Sequence, residues 1–515
     1  MGMDVLGGVN RIIGPNRGAI DFPPEFKWLN TSEPLSAGKL RGQVVVLDFW
    51  TYCCINCMHM LPVLAKIEDA YKDKPVAVIG VHSAKFPNEQ RPENIQEAVR
   101  RYEMRHPVIV DEDRRLWKAF GASAWPTIVV LGPDWRVQYK RAGEVPFSEL
   151  DGAVESVLID RRYEGMLAKG PLKLSVPKTA AGGVLSYPGK MSLSPDEARF
   201  AISDSNHNRI LIVETASGRV VDAVGSGARG LRDGGFAECT FFRPQGVLWL
   251  GSGTVYVADT ENHALREVDL EARTVKTIAG DGTQGPYQPF EYSGLGAKTR
   301  LSSPWDLAYH RHKLLVAMAG LHQIWAYDIG TGTIYPFGGS GMENIFDGPL
   351  TNAQFAQPSG LSINADNDHM YVADSEVSGV RSIDLKGRFV STLVGSGLFK
   401  FGYKDGTFYE ARMQHPLGVA AIGDKIYVAD TYNSAIRVID VAHDSVSTVI
   451  GSPGSKSFCK FGEGGCDTLG LYEPSDVKAS RNGRTLYVVD TNNHLVRTFS
   501  FDDFMLRTLA LRERD

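Results

Sequence analysis

At 515 residues, with 43% hydrophobic and 22% charged side chains, the chain is too long for one ordinary core and too apolar for a disordered segment. A formal net charge of −5 without a lysine–arginine run argues against nucleic acid or an anionic membrane as a general partner. No stretch approaches 18 apolar residues, the start MGMDVLGGVNRIIGPNRGAID lacks the apolar segment of a secretory signal, and six cysteines are too few for a disulfide scaffold. The expectation is a cytoplasmic protein with no membrane insertion.

Residues 1–20 read as an N-terminal lead, and residues 21–165 alternate strand and helix. The run VVVLDFW (44–50) is the signature of a central strand covered on both faces. A helix follows from 56 to about 71, then a strand at 76–81, and a helix over about 92–104 with proline at its start. A strand at 107–110 and a helix at 114–121, stopped by Gly121, come next. Strands at 127–131 and 137–143 complete the sheet, and Phe147, Leu150, Val154 and Leu158 share one face of a last helix. This pattern predicts an α/β domain with a mixed sheet.

Residues 166–183, which include Pro171 and Pro177, read as a short linker on which the two domains pack together. Over 184–511 a repeat takes over. YVADTENHALREVD (256–269), LVAMAGLHQIWAYD (315–328), YVADSEVSGVRSID (371–384), YVADTYNSAIRVID (427–440) and YVVDTNNHLVRTFS (487–500) align without gaps, preceded by a weaker copy at 202–214. Equivalent positions Asp204, Asp259, Met318, Asp374, Asp430 and Asp490 are 55, 59, 56, 56 and 60 residues apart. Four strand-like segments per unit cannot bury both faces alone, so six units predict a six-bladed all-β propeller, with 512–515 as a tail. The repeated aspartates are expected to hold backbone N–H groups in the turn after their strand.

The chemistry concentrates in WTYCCINCMHMLP (50–62), and two readings compete. As a redox pair, Cys54 follows a buried strand at the start of a helix, where free N–H groups and the helix dipole favour a thiolate, and Cys57 lies one turn on, placed to resolve a mixed disulfide. As a metal clip, Cys53 and Cys57 with Met58 or His59 would suit a soft ion such as Cu(I). The redox reading is favoured, with Asp48 beneath the pair as a buried proton relay and Trp125-Pro126-Thr127 opening a late strand at a cis-proline. His82 ends a parallel strand at the edge where such sites form, available for proton transfer or substrate contact. Cys239 reads as a small core residue, and Cys459 and Cys466 flank a glycine-rich loop as thiols that a disulfide is not needed to explain.

With DFW, CxxC and WPT in this order, residues 21–163 resemble the thioredoxin fold, closest to its TlpA and redoxin-like branch, and 184–511 resemble NHL repeats, of which Asn493-His494-Leu495 is one signature. The joint order, with GVHSAKF (80–86) between the motifs, resembles a thioredoxin–NHL group found in animals, plants and bacteria; nothing is carried over from the C-terminal β-strand domain of its animal members. The resemblance implies Cys54 as nucleophile, Cys57 as resolving cysteine, Asp48 as the buried acid and Pro126 beside the disulfide. Trp125, Pro126, His82 and Cys53 are expected on the substrate side. The function expected is thiol–disulfide oxidoreduction on a protein or peptide disulfide, using no metal and no cofactor beyond the Cys54–Cys57 disulfide, with the propeller orienting the partner and the reductant left open. The alternative is a non-enzymatic scaffold that keeps the fold as an interaction surface.

Overall fold

A strand that is apolar throughout has to be covered on both faces, and Val44–Trp50 is buried along its whole length. A computed structural model describes residues 26–36, 38–173, 183–453 and 470–513, in two units, 1–180 and 181–515. The lead at 1–20, Cys459, Cys466 and half of the expected linker and tail lie outside the described residues.

The first unit contains β1 (Lys27–Leu29), β2 (Val44–Trp50), α1 (Ile55–Ala70), β3 (Val76–His82), α2 (Pro92–Arg101), β4 (Val108–Val110), α3 (Arg115–Ala119), β5 (Thr127–Leu131), β6 (Val137–Ala142) and α4 (Phe147–Leu158). The sheet order is β1-β4-β3-β2-β5-β6, with β2, β3 and β4 parallel and the remaining pairs antiparallel. Alternation along β2 sends Leu47 and Phe49 into one core, with Leu116 of α3, and Val44 and Val46 into the other, with Met60, Leu64 and Ile67 of α1 and Val154 of α4. Asp48 and Trp50 share the α1 side. The strand β1 carries no sequence signal; its three residues pair with β4 at the sheet edge. Past α4, Ala168 donates its N–H to Gly42 O, and Leu172 packs on the first unit's core.

The second unit is the expected six-bladed propeller: antiparallel sheets over 191–224, 234–279, 294–338, 348–394, 418–451 and 476–509. Six apolar clusters lie between successive blades, and the one joining Val489 and Val496 to Met191 and Ile202 closes the ring. Arg512 bridges Arg219 on the outer side of the first blade. Among the described residues no helix is long and apolar enough to cross a membrane.

The repeated aspartates are structural, with partners that differ from the expectation. Each turn N–H is already held locally, as His263 N is by Thr260 O. The buried carboxylates instead reach back to the segment entering their own blade: Asp204, Asp259, Asp374, Asp430 and Asp490 accept from the N–H of Ser186, Phe242, Ala356, Gln414 and Tyr472. The second oxygen holds an arginine of the following strand, at 2.8 Å in Asp259–Arg266 and Asp430–Arg437 and 3.0 Å in Asp374–Arg381. Arg266 is fully buried, and its two terminal nitrogens also donate to Thr240 O, Arg232 O and Asp233. The residue that ends each turn has positive φ, and its side chain accepts an N–H from the next blade: Asn208 from Arg243, His263 from Ser303, His322 from Gln357, Ser378 from His415, Ser434 from Glu473, and His494 from Tyr187 across the closure.

The third blade replaces the ionic set with an apolar one: Met318, Leu321 and Trp325 stand where the second blade has Asp259, Asn262 and Arg266, and all are buried. Removing one ion of a buried pair strands the other, whereas an apolar replacement of the set avoids the desolvation cost. Arg266→Met should therefore destabilise the propeller by about 3–5 kcal/mol. Asp259→Met with Asn262→Leu and Arg266→Trp should recover at least half of that loss in the urea midpoint.

Candidate active site

Cys54 is the N-cap of α1, with extended φ and ψ of −82° and 119°, and its carbonyl accepts the N–H groups of Cys57 and Met58. Cys54 is partly exposed, and Cys57, in the first turn, is 1% exposed. The Cys54 thiol lies 3.8 Å from Trp125 O, on the residue that forms a cis peptide with Pro126. Trp125 is fixed from three sides: its indole N–H donates to Ser83 O at 2.8 Å, its ring packs on Trp117 at 4.6 Å, and the Arg114 guanidinium lies 4.9 Å over it. Cys54, Cys57, Trp125 and Pro126 are thus together, as the motif order implies.

Asp48 pairs in register with Gly80 of β3 and Ile128 of β5, and is 0% exposed. Among the described residues neither carboxyl oxygen has a hydrogen-bond partner. Burial pushes its pKa up to about 7, opposed by His106. The Cys57 thiol is also pushed well above the usual range, first by burial, then by its hydrogen bond with Cys54, with the nearby Asp48 adding to both. A Cys57 thiol that burial holds protonated, close to a carboxyl that burial pushes up to about 7, brings a proton donor and an acceptor together.

His82 lies inside rather than at the mouth. It is 1% exposed, its ring centroid is 5.0 Å from Trp50 and 5.6 Å from Tyr52, and burial lowers its pKa to about 3, so it is a neutral wall. Cys53 is buried, and its N–H donates to Glu89 at 2.9 Å. His59, the candidate soft-metal ligand, has Nδ1 at 2.6 Å from Glu144. Cys239 sits in the core between the first two blades.

Sequence reasoning missed Glu89. This fully buried carboxylate accepts from Thr51 Oγ1 at 2.7 Å and from the N–H groups of Cys53, Lys85 and Phe86 at 2.9–3.0 Å. It ties the loop before Cys54 to the loop after β3. Its only signal was a glutamate in the turn FPNEQRP, which by itself points nowhere.

A thioredoxin-like family profile matches residues 42–137. Human NHL repeat-containing protein 2 is 39% identical over 525 residues, covering 95% of this chain and 71% of the human protein. The chain belongs to the NHL repeat-containing protein 2 family. The chloroplastic protein SUPPRESSOR OF QUENCHING 1 of Arabidopsis thaliana is 40% identical over 513 residues, covering 96% of this chain; the chain spans 48% of that protein's length. More distantly, thiol-disulfide oxidoreductase ResA of Bacillus thuringiensis is 24% identical over 118 residues, 23% of this chain and 65% of ResA.

An ionised carboxyl buried without a partner costs stability. With the folded pKa near 7 and the ordinary value at 3.8, that cost is absent at pH 4, grows as pH rises, and is complete above pH 7. Asp48→Asn should therefore stabilise the protein by up to about 4 kcal/mol at pH 8 and by nearly nothing at pH 4, read as urea midpoints at the two pH values.

Proposed function

We propose that the first unit is a thiol–disulfide oxidoreductase and that the propeller binds or orients its protein partner. The observation that carries this reading is a partly exposed Cys54 at a helix N-cap beside Pro126, one turn before a buried Cys57 that stands over an unpartnered carboxyl. The name of the ResA relative supports the same chemistry.

In the reductive half-cycle the Cys54 thiolate attacks a substrate disulfide, forming a mixed disulfide and releasing one substrate thiolate. Cys57 gives its proton to Asp48 and attacks Cys54 Sγ. The mixed bond breaks, the second substrate thiol leaves, and Cys54–Cys57 holds the two electrons' worth of oxidation. A dithiol then restores the pair. Glu89 fixes Cys53 and Thr51, and so keeps the nucleophile's backbone at the helix start throughout the cycle.

At pH 7 iodoacetamide should modify Cys54 well before Cys57, because the second thiol is buried and held protonated. Cys57→Ser should trap a mixed disulfide with a protein substrate in cell extract, and Cys54→Ser should abolish dithiothreitol-driven insulin reduction. If Cys57→Ser traps nothing and the intact chain reduces insulin no faster than Cys54→Ser, the oxidoreductase reading is wrong and a scaffold role replaces it.

A further inference from the structure

The unpaired polar atoms buried beneath α1 do not end at Asp48. Trp50 Nε1 and His106 Nε2 are also buried without a hydrogen-bond partner among the described residues. They converge on one glycine. Gly80 is the register partner of Asp48 on one side and of Val108 on the other, and its N–H donates to Pro107 O, so the residue before Pro107 is held against β3. A Cβ added at Gly80 would stand 2.9 Å from Trp50 Nε1 and 3.5 Å from His106 Cδ2, the carbon bonded to the unpartnered nitrogen. Any side chain at position 80 would press on Trp50 Nε1, on Val108 Cγ2 at 3.2 Å and on the His106 ring.

The other edge of the same imidazole leads outward. His106 Nδ1 lies 3.3 Å from Glu68 Oε1 on α1, and Glu68 Oε2 accepts from Arg105 Nε at 3.2 Å. Side-chain exposure rises from 4% at His106 to 20% at Glu68 and 48% at Arg105. Asn30 pins this corner by donating to the carbonyls of Met104 and His106 at 2.7 and 2.9 Å.

We propose that His106 and Glu68 form the proton exit of Asp48, carrying to solvent the proton that Cys57 gives up when it resolves a mixed disulfide. The proposal rests on the oxidoreductase reading. Cys57 loses a proton to Asp48; since Asp48 and His106 Nε2 do not hydrogen-bond each other, a bridging water carries a proton across to Nε2, and the proton on Nδ1 moves to Glu68, from which solvent removes it. No electron and no heavy atom moves in these steps, and the reverse order returns a proton when the disulfide is reduced. A buried carboxyl without such a route would have to open the fold to exchange its proton each cycle. His106 transfers protons at one remove from the sulfur and is a positioning residue, not a group that touches substrate.

The other ionisable groups on the surrounding elements are committed, neutral or turned to solvent. On α1, His59 pairs with Glu144, Asp69 with Arg105 and Lys66 faces solvent, and just past its end the Tyr71 hydroxyl donates to Asp151 of α4. On β3, His82 is neutral between two aromatic rings. On β6, Tyr139 and Arg141 engage Glu149 of α4. Cys54 and Cys57 are the reacting thiols themselves.

The test uses full-length His106→Asn and the milder Glu68→Gln, with two readouts. The first is the carboxyl titration of Asp48 by carbon-13 NMR in reduced protein, which needs no activity. The second is the pH–rate profile of insulin reduction driven by dithiothreitol. Removing the ring that opposes the burial shift of Asp48 should move the Asp48 titration upward by about one pH unit in His106→Asn. The acid limb of the rate profile should follow, and the rate at pH 7 should fall roughly tenfold while Cys54 alkylation stays unchanged. Glu68→Gln should lower the same rate severalfold without the full titration shift. A residue that merely packs would lower activity at every pH and leave both midpoints in place. An active wild type whose Asp48 titration and acid limb are unmoved by either substitution overturns the relay alone. A wild type that shows the Asp48 shift but reduces no disulfide overturns the oxidoreductase reading and supports the coupling.

Discussion

The register of one strand is the constraint on which the site depends. Because side chains alternate, β2 can bury Leu47 and Phe49 in one core only by sending Val46, Asp48 and Trp50 toward α1. A slip of one residue would put a carboxyl into the apolar core under α3 and expel Phe49 from it. With the register held between β3 and β5, the chain leaves the sheet four residues before Cys54, which becomes the helix N-cap, and Cys57 comes near enough to Asp48 for that charge to raise the thiol's pKa. The same burial that makes Asp48 costly gives it a pKa near neutrality. Stability is given up at this one position of the strand.

Two kinds of buried acid serve opposite ends in this molecule. Glu89 and the blade aspartates are saturated with donors and act as fasteners: one holds the loop before Cys54, the others hold each blade's entry segment and an arginine. Asp48 has no such partner among the described residues, and nothing there holds it in one protonation state. The third blade shows that the ionic fastener is one solution among others, since Met318 and Trp325 fill the same place with apolar volume. What every blade keeps is the positive-φ turn residue whose side chain takes an N–H from its neighbour, a contact repeated around the whole ring.

Much of this was legible in the residues. Strong periodicity identified β2, the helices and six repeats, because continuous burial and a recurring unit leave marks in any single sequence. The spacing of Cys54 and Cys57 after DFW, with WPT later, anticipated which groups meet. What stayed hidden were contacts made over long sequence distances by residues of ordinary type. Glu89 reaches back 36 residues to the N–H of Cys53, and His106 reaches 38 residues to Glu68. Strand β1 is only three residues long, too short for a period. The blade aspartates were recognisable as structural, yet their partners lie 16–18 residues upstream, beyond what local turn chemistry suggests.

The central claim is that Cys54 and Cys57 form one reversible two-electron couple over a protonatable Asp48. Equilibration of the intact chain in glutathione buffers of stepped potential, with mass spectrometry of the trapped thiols, tests it most directly. The account predicts a single two-electron transition in which Cys54 and Cys57 pair while Cys53 remains a thiol, with a midpoint that becomes more negative as pH rises. Pairing of Cys53 with either neighbour, or thiols that stay reduced across the whole range, would contradict it.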